Sequence, residues 1–195
     1  PAFCRLFYAN LKLHRALESS QFLERLRDQP SKSDYLQYLY RLRVGLSIVE
    51  PALQHITSLA PFFRLATLDA DIHELANGVH PEQETNLGQH IEHLTYLRDY
   101  KPHALIAHAA LHYYAFLFGG QAICERLSSA FGTGVSLYTF ENDARTMIRR
   151  LDEALNSYSR HFSDPQIADI RKEIVQAWIF AGDILLTDIR HLVPS

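Results

Sequence analysis

Three places in this 195-residue chain combine residue types and spacings that can do chemistry. The first is Gly119-Gly120, set directly after a run of large side chains that includes Tyr113, Tyr114, Phe116 and Phe118. Two adjacent glycines inside a helical stretch cost roughly 2 kcal/mol relative to alanines, so bare backbone must be needed there. A flat ligand lying against the backbone would explain the pair. So would tight helix–helix packing, or a turn between two helices. The second place is His14, at the edge of an apolar stripe of Phe3, Phe7 and Leu11, with Glu18 one helical turn later. A carboxylate at that spacing can accept one ring N–H and fix the tautomer, leaving the other nitrogen as a metal ligand. The chain holds 11 histidines, so a partly buried or surface role is the plain alternative. The third place is His108 and His112, an i, i+4 pair on one helix face. No carboxylate at good spacing on that helix completes a metal site. His90, Glu92 and His93 read as a solvated face or loop.

The elements that must position these residues are helical almost throughout. A first helix is expected from about Phe3 to Arg27, with Leu6, Leu13 and Leu17 beside the His14 stripe, broken by Pro30-Ser31. Ser33 is a plausible N-cap for a second helix reaching about Leu59, kinked near Val49 by Pro51. Pro61 separates a short helix, Ala66 to Ala76, ended by Asn77-Gly78. His80-Pro81 opens a polar loop before a helix from Leu87 to Leu97. Pro102 fits the first turn of a long apolar helix from about His103 to Phe131, with the glycine pair at its middle and Gly132 and Gly134 at its end. Asn142 or Asp143 starts a helix to about Tyr158, and Asp164-Pro165 starts a last one reaching His191. No segment alternates as a strand does. The reading is all-α: one multi-helical domain spanning 1–195.

Composition narrows the function classes. Nearly half the residues are apolar and the net charge is −3, so no polycationic surface invites nucleic acid. No apolar run is long enough for a membrane span, and the N-terminus lacks a signal-peptide layout. A chain opening on Pro1 implies a trimmed start with residues upstream. Cys4 and Cys124 make no metal motif or disulfide framework, which suits a reducing cytoplasm.

The run from Leu105 through His108, Tyr113 and Phe118 to Gln121, with Ala107-His108-Ala109 followed eleven residues after its histidine by Gly119-Gly120-Gln121, resembles the distal-helix signature of the haem oxygenases. His14 to Leu23 is similar to that family's proximal-histidine segment. Leu137 to Asn142 resembles its aromatic loop, and Asp164-Pro165 and Ala177-Trp178 fall where its last helix starts and lines the pocket. The likeness runs in order along most of the chain and is weakest from Ala60 to Tyr100. It implies a haem oxygenase fold with a glycine-kinked distal helix. It implies haem as both substrate and cofactor, with His14 on the iron and Gly119, Gly120, Phe116 and Trp178 against the macrocycle. It further implies O2 and an electron donor, a reductase or ferredoxin, as partners, and biliverdin, carbon monoxide and iron as products. His108 matches a histidine that is structural in the family. Arg145 and Arg149 sit in the helix that resembles the propionate-binding one, although a solvated basic face is the alternative. The family's basic residue before the proximal histidine has no clean counterpart; Arg5 and Lys12 are nearest.

The chain departs from the family where oxygen is handled. A Gly-Asp pair in the animal-type enzymes, whose carboxylate holds a proton-delivering water chain, corresponds here to Ala115 and Phe116, and the Ser before the glycine pair to Phe118. Phenylalanine can hold no water, so His112 and Tyr114 become the candidates for that work. A haem-degrading oxygenase is the leading reading. A haem-binding carrier, a sensor or a catalytically impaired relative is the second. A di-iron oxygenase would need ligands such as His14, Glu18, Asp71, His73 and Glu74 to converge, and a hydrolase would need a base beside Cys124.

Overall fold

A computed structural model of the chain describes residue 5, residues 9–77 and residues 87–193. The sequence readings on Phe3, Cys4, Leu6, Phe7, Gly78, His80 and Pro81, and on the side chain of Leu11, lie outside the described residues. Among the described residues every regular element is helical. The expected first helix is two: α1, Leu11–Glu18, and α2, Gln21–Asp28. Ser19-Ser20 divides them. The Ser20 backbone turns extended, and its hydroxyl accepts the Leu23 N–H at 3.2 Å, an N-cap that helix propensity alone does not anticipate.

Helix α3, Lys32–Leu53, is capped by Ser31 and not by Ser33, with the Asp34 N–H donating to the Ser31 hydroxyl at 3.1 Å. Pro51 does not break it. The proline lies in the last turn, and the helix stops two residues later, well before Leu59. A 3-10 turn, Thr57–Phe62, leads into α4, Leu65–Ala76. Glu50 of α3 accepts from the Arg64 and Leu65 N–H groups at 2.7 and 2.9 Å and so caps α4 from a neighbouring element. Asn77, with φ of 44°, ends α4.

Helix α5, Gly88–Tyr100, precedes a 3-10 turn over Pro102–Leu105. The expected long apolar helix is then α6, Ile106–Phe118, and α7, Gly120–Phe131, joined at Gly119. Helix α6 is buried on nearly all sides, from Ile106 to Tyr114, because it packs between α3, α8 (Ala144–Ser159) and α9 (Asp164–Ile184). Such a helix needs no amphipathic stripe.

The loop between α7 and α8 is tied back to α4. Asp71 accepts from the Ser136 and Leu137 N–H groups at 3.0 and 2.7 Å. Glu74 accepts from the Gly134 N–H at 3.1 Å, and Gly134 sits at φ 71°, where a Cβ would meet Leu75 at 2.3 Å. Asp143 caps α8 through the Thr146 N–H at 3.0 Å. Helix α9 ends at Ile184 and does not reach His191. Thr187 N–H folds back onto the Gly182 carbonyl at 2.8 Å, Leu186 takes φ 55°, and a 3-10 turn covers Arg190–Leu192. No helix among the described residues is long and apolar enough to cross a membrane.

Candidate functional site

A cavity of about 480 Å³ opens between α1, α3, the α6–α7 junction, α8 and α9. That size suits a small ligand or cofactor. On its α1 wall stands His14, whose ring is half exposed. Its Nδ1 lies 3.3 Å from Glu18, and the ring meets Trp178 of α9 edge-on, centroids 5.8 Å apart. The i, i+4 geometry of α1 presents both side chains on one face, and Glu18 turns the ring so that Nε2 is the nitrogen left for a ligand. Trp178 is buried, and its indole N–H finds no hydrogen-bond partner.

The two glycines do different work. Both line the cavity, but at Gly119 a Cβ would meet nothing nearer than the Ala115 carbonyl at 3.5 Å. Its bare backbone therefore faces open space. At Gly120 a Cβ would sit 2.4 Å from the Tyr138 ring, so that glycine admits the loop aromatic against the helix. Packing against Tyr138 is reason enough for a glycine at 120, whereas Gly119 has no packing reason and retains the ligand explanation.

Phe116 is almost fully buried and forms an aromatic wall. Its ring stacks on His112 at 6.2 Å and meets Tyr138 edge-on at 6.1 Å. His112 is buried too. Burial, and then the nearby His108, push its pKa down to about 3, so its imidazole is neutral at ordinary pH. Behind the loop aromatic, burial pushes the Tyr38 hydroxyl up to about 12 and the Tyr138 hydroxyl higher still; both rings line the cavity as neutral phenols.

Sequence reasoning missed Asp152. It lies on α8 one turn after Ile148, lines the cavity half-buried, and accepts a short hydrogen bond from the Tyr114 hydroxyl. The signal was a carboxylate next to the apolar stripe Met147, Leu151 and Leu155, all of which are buried. Arg145 and Arg149 are exposed and do not line the cavity; Arg149 pairs with Glu153 at 3.7 Å. They flank Ile148 and Asp152, whose side chains turn inward. Arg5 and Lys12 are exposed as well. No Lys or Arg is among the described lining residues, so an anionic ligand group must point to the mouth.

The remaining candidates are accounted for structurally. Asp71 and Glu74 hold the α7–α8 loop, and His73 is exposed, so these three do not join His14 and Glu18 as a di-iron set. The Cys124 thiol has Ser128 Oγ and the Val135 carbonyl at 3.9 Å, neither of them a base for a nucleophilic thiol. His90 and His93 are not a solvated face: they pair with Asp183 and Glu173 of α9.

Against known proteins, the family profile described as heme oxygenase matches residues 5–185. No curated protein sequence matches the chain. Among solved structures, the heme oxygenase from Leptospira interrogans superposes with a TM-score of 0.75 at 21% identity, over 89% of this chain and 93% of that one. Heme oxygenase-2 from Synechocystis sp. PCC 6803, in complex with heme and NO, gives 0.79 at 21% identity, over 93% and 82%. Heme oxygenase-1 from the same cyanobacterium, in complex with heme, gives 0.79 at 19% identity, over 94% and 90%. At these identities the structural likeness establishes the fold.

Proposed function

This chain belongs to the haem oxygenase family, and on that premise we propose that it binds haem in the cavity between α1 and the α6–α7 junction and opens the macrocycle to biliverdin, carbon monoxide and iron. O2 and electrons from a reductase or ferredoxin are the co-reactants, and the cytoplasm is the compartment. The observation that carries this reading is a single apolar cavity that has an oriented imidazole, His14, on one wall and the bare backbone of Gly119 on another. Those two features fit an iron porphyrin: one nitrogen ligand, and a wall that a flat ring can approach closely. When bound, haem supplies the iron that activates O2 and the ring that is oxidised.

The chain's own residues divide the remaining work. His14 would hold the iron through Nε2, with Glu18 accepting from Nδ1–H. Trp178 packs against the edge of that imidazole and limits its rotation. Phe116, Tyr138 and the neutral ring of His112 exclude bulk water from the α6 wall. His112 has no proton to give as an imidazolium, though its neutral ring can orient a water molecule. The Tyr114–Asp152 pair holds a proton at Tyr114 Oη and a carboxylate behind it. Tyr114 stands on the same helix as Phe116, Asp152 reaches it from α8, and together they take over the polar role that Phe116 cannot fill. The anionic propionates would have to be held from the solvent side, and Arg145 and Arg149, exposed on α8 beside the lining residues Ile148 and Asp152, are the cations that would serve.

A haem carrier or sensor is the second reading, favoured by one observation: Phe116 and neutral His112 leave that wall without an ionised group. The test is to add haemin to the apo-protein, then ferredoxin, its reductase and NADPH in air, with catalase present. An oxygenase shows a Soret band that decays to a bilin band. A Soret band that persists through reduction selects the carrier, and no Soret band at all refutes both. His14→Ala should abolish the normal ferric spectrum, and added imidazole should restore it.

A further inference from the structure

One helical turn before His112 on α6, behind Phe180, three elements bring together two imidazoles and a carboxylate. His93 of α5 places Nε2 2.8 Å from Glu173 Oε2 of α9, and His108 of α6 places Nε2 3.2 Å from the same oxygen. The three ligand atoms all lie within 4.8 Å of one another. We propose that His93, His108 and Glu173 form a binding site for a zinc-class divalent transition cation, separate from haem iron.

The spacing is close to that of a metal site, with both nitrogen–oxygen separations a little short and the third no more than 4.8 Å. Tetrahedral zinc with bonds near 2.0–2.1 Å spaces its ligand atoms about 3.4 Å apart, so the cluster adjusts to a cation with side-chain shifts of about an ångström or less. Two histidines and one carboxylate are the donor set of three-ligand zinc sites and of non-haem ferrous sites, both of which keep an open position. Here that position faces out. His93 is 37% exposed and Glu173 12%, while His108 is 2% exposed, so a solvent path reaches the cluster past His93. A water molecule completes the coordination.

The protonation states suit a cation. Burial pushes His108 down, more than Glu173 raises it, so the ring is neutral and offers a lone pair. Burial of Glu173 opposes its charge, but hydrogen bonds from His108 and His93 more than offset this and hold its carboxyl below the usual range. His108 Nδ1 is buried without a partner. It would be so in either tautomer, so moving the ring proton to Nδ1 on coordination adds no new orphan.

The neighbours keep the site apart from the cavity. Phe180 lies between, its ring 6.4 Å from His108 and 6.2 Å from His112. His90 is engaged by Asp183, and Lys101 and His103 by Asp169, one turn before Glu173 on α9. None of the three proposed ligands lines the cavity. The inference therefore does not depend on haem binding.

The test uses the haem-free, tag-free, chelator-treated protein. Titration with cobalt(II) should give the visible d–d bands of a four- or five-coordinate site at one equivalent, displaced by zinc. His93→Ala, chosen because its side chain is the most exposed of the three, should weaken binding by about tenfold or more. His14→Ala should leave the bands unchanged. Zinc should raise the Tm of the parent and not of His93→Ala. Glu173→Gln should also lose the bands while circular dichroism verifies its helices. Unchanged cobalt bands in His93→Ala, bands lost only in His14→Ala, or no bands at millimolar cobalt would each overturn the proposal.

Discussion

His112 gives the sharpest quantitative test, because it links the electrostatics of the cavity wall to a measurable stability. In the unfolded chain its imidazole titrates near 6.5; in the folded protein burial, then His108, bring it to about 3. The folded pKa is depressed, so below pH 6.5 the unfolded chain takes up a proton that the folded chain refuses. Stability is then full above pH 6.5 and falls as the pH drops toward 3. The slope is about 1.4 kcal/mol per pH unit, which comes to roughly 2 kcal/mol between pH 7.5 and 5.0 from this one residue. His112→Phe removes the titration and keeps a flat ring stacked on Phe116. Urea denaturation of the haem-free parent and variant at both pH values reads the effect. With m near 2 kcal/mol/M, the parent's midpoint should fall by about 1 M more than the variant's over that range. His108 titrates in both proteins, so its contribution cancels to first order, and any packing cost of the new ring is common to both pH values. Equal losses in parent and variant would refute the reasoning. They would mean that His112 carries charge inside the fold, and its exclusion as an imidazolium proton donor would fall with it.

The other expectations concern the cavity directly. Gly119→Leu should weaken haem affinity while leaving the Tm near that of the parent, whereas Gly120→Ala should lower stability by about 1–3 kcal/mol as Tyr138 is displaced; equal effects at both positions would contradict the division of labour between the glycines. Tyr114→Phe and Asp152→Asn should each slow bilin formation by at least about tenfold with haem affinity little changed, since each breaks the proton-holding pair; parent-like turnover in either would remove that pair from the mechanism. Arg145→Ala with Arg149→Ala should cost no more than about 1 kcal/mol of haem affinity, because exposed, screened cations contribute little. A larger loss would show that both side chains close over the mouth when haem enters.

Much of this protein is legible along the chain because its determinants are local. Helical periodicity runs through nearly every segment. Asp143 and Asp164-Pro165 mark true helix starts, and Asn77 and Gly132 mark true ends. His14 and Glu18 meet because an α-helix always brings i and i+4 together. The glycine pair likewise announced a place where backbone had to stay bare. Where local signals competed, the reading from sequence slipped. Ser19-Ser20 divides an otherwise continuous pattern because Ser20 captures a backbone N–H, and Pro51 sits where a helix is already ending. What each site residue does depends on partners far along the chain, and so on how each helix is rotated against its neighbours. Tyr114 meets Asp152, His93 and His108 meet Glu173, and Gly120 meets Tyr138 only in the packed structure. The neutrality of His112 follows from burial, which no spacing of residues reveals. Sequence alone determined most of the helices, the His14–Glu18 pair and a need for bare backbone within the glycine pair, which the structure locates at Gly120. Tertiary packing decided which glycine is pressed against Tyr138, which carboxylate stands behind Tyr114, and which histidines are kept uncharged, because desolvation and side-chain convergence are properties of the folded interior.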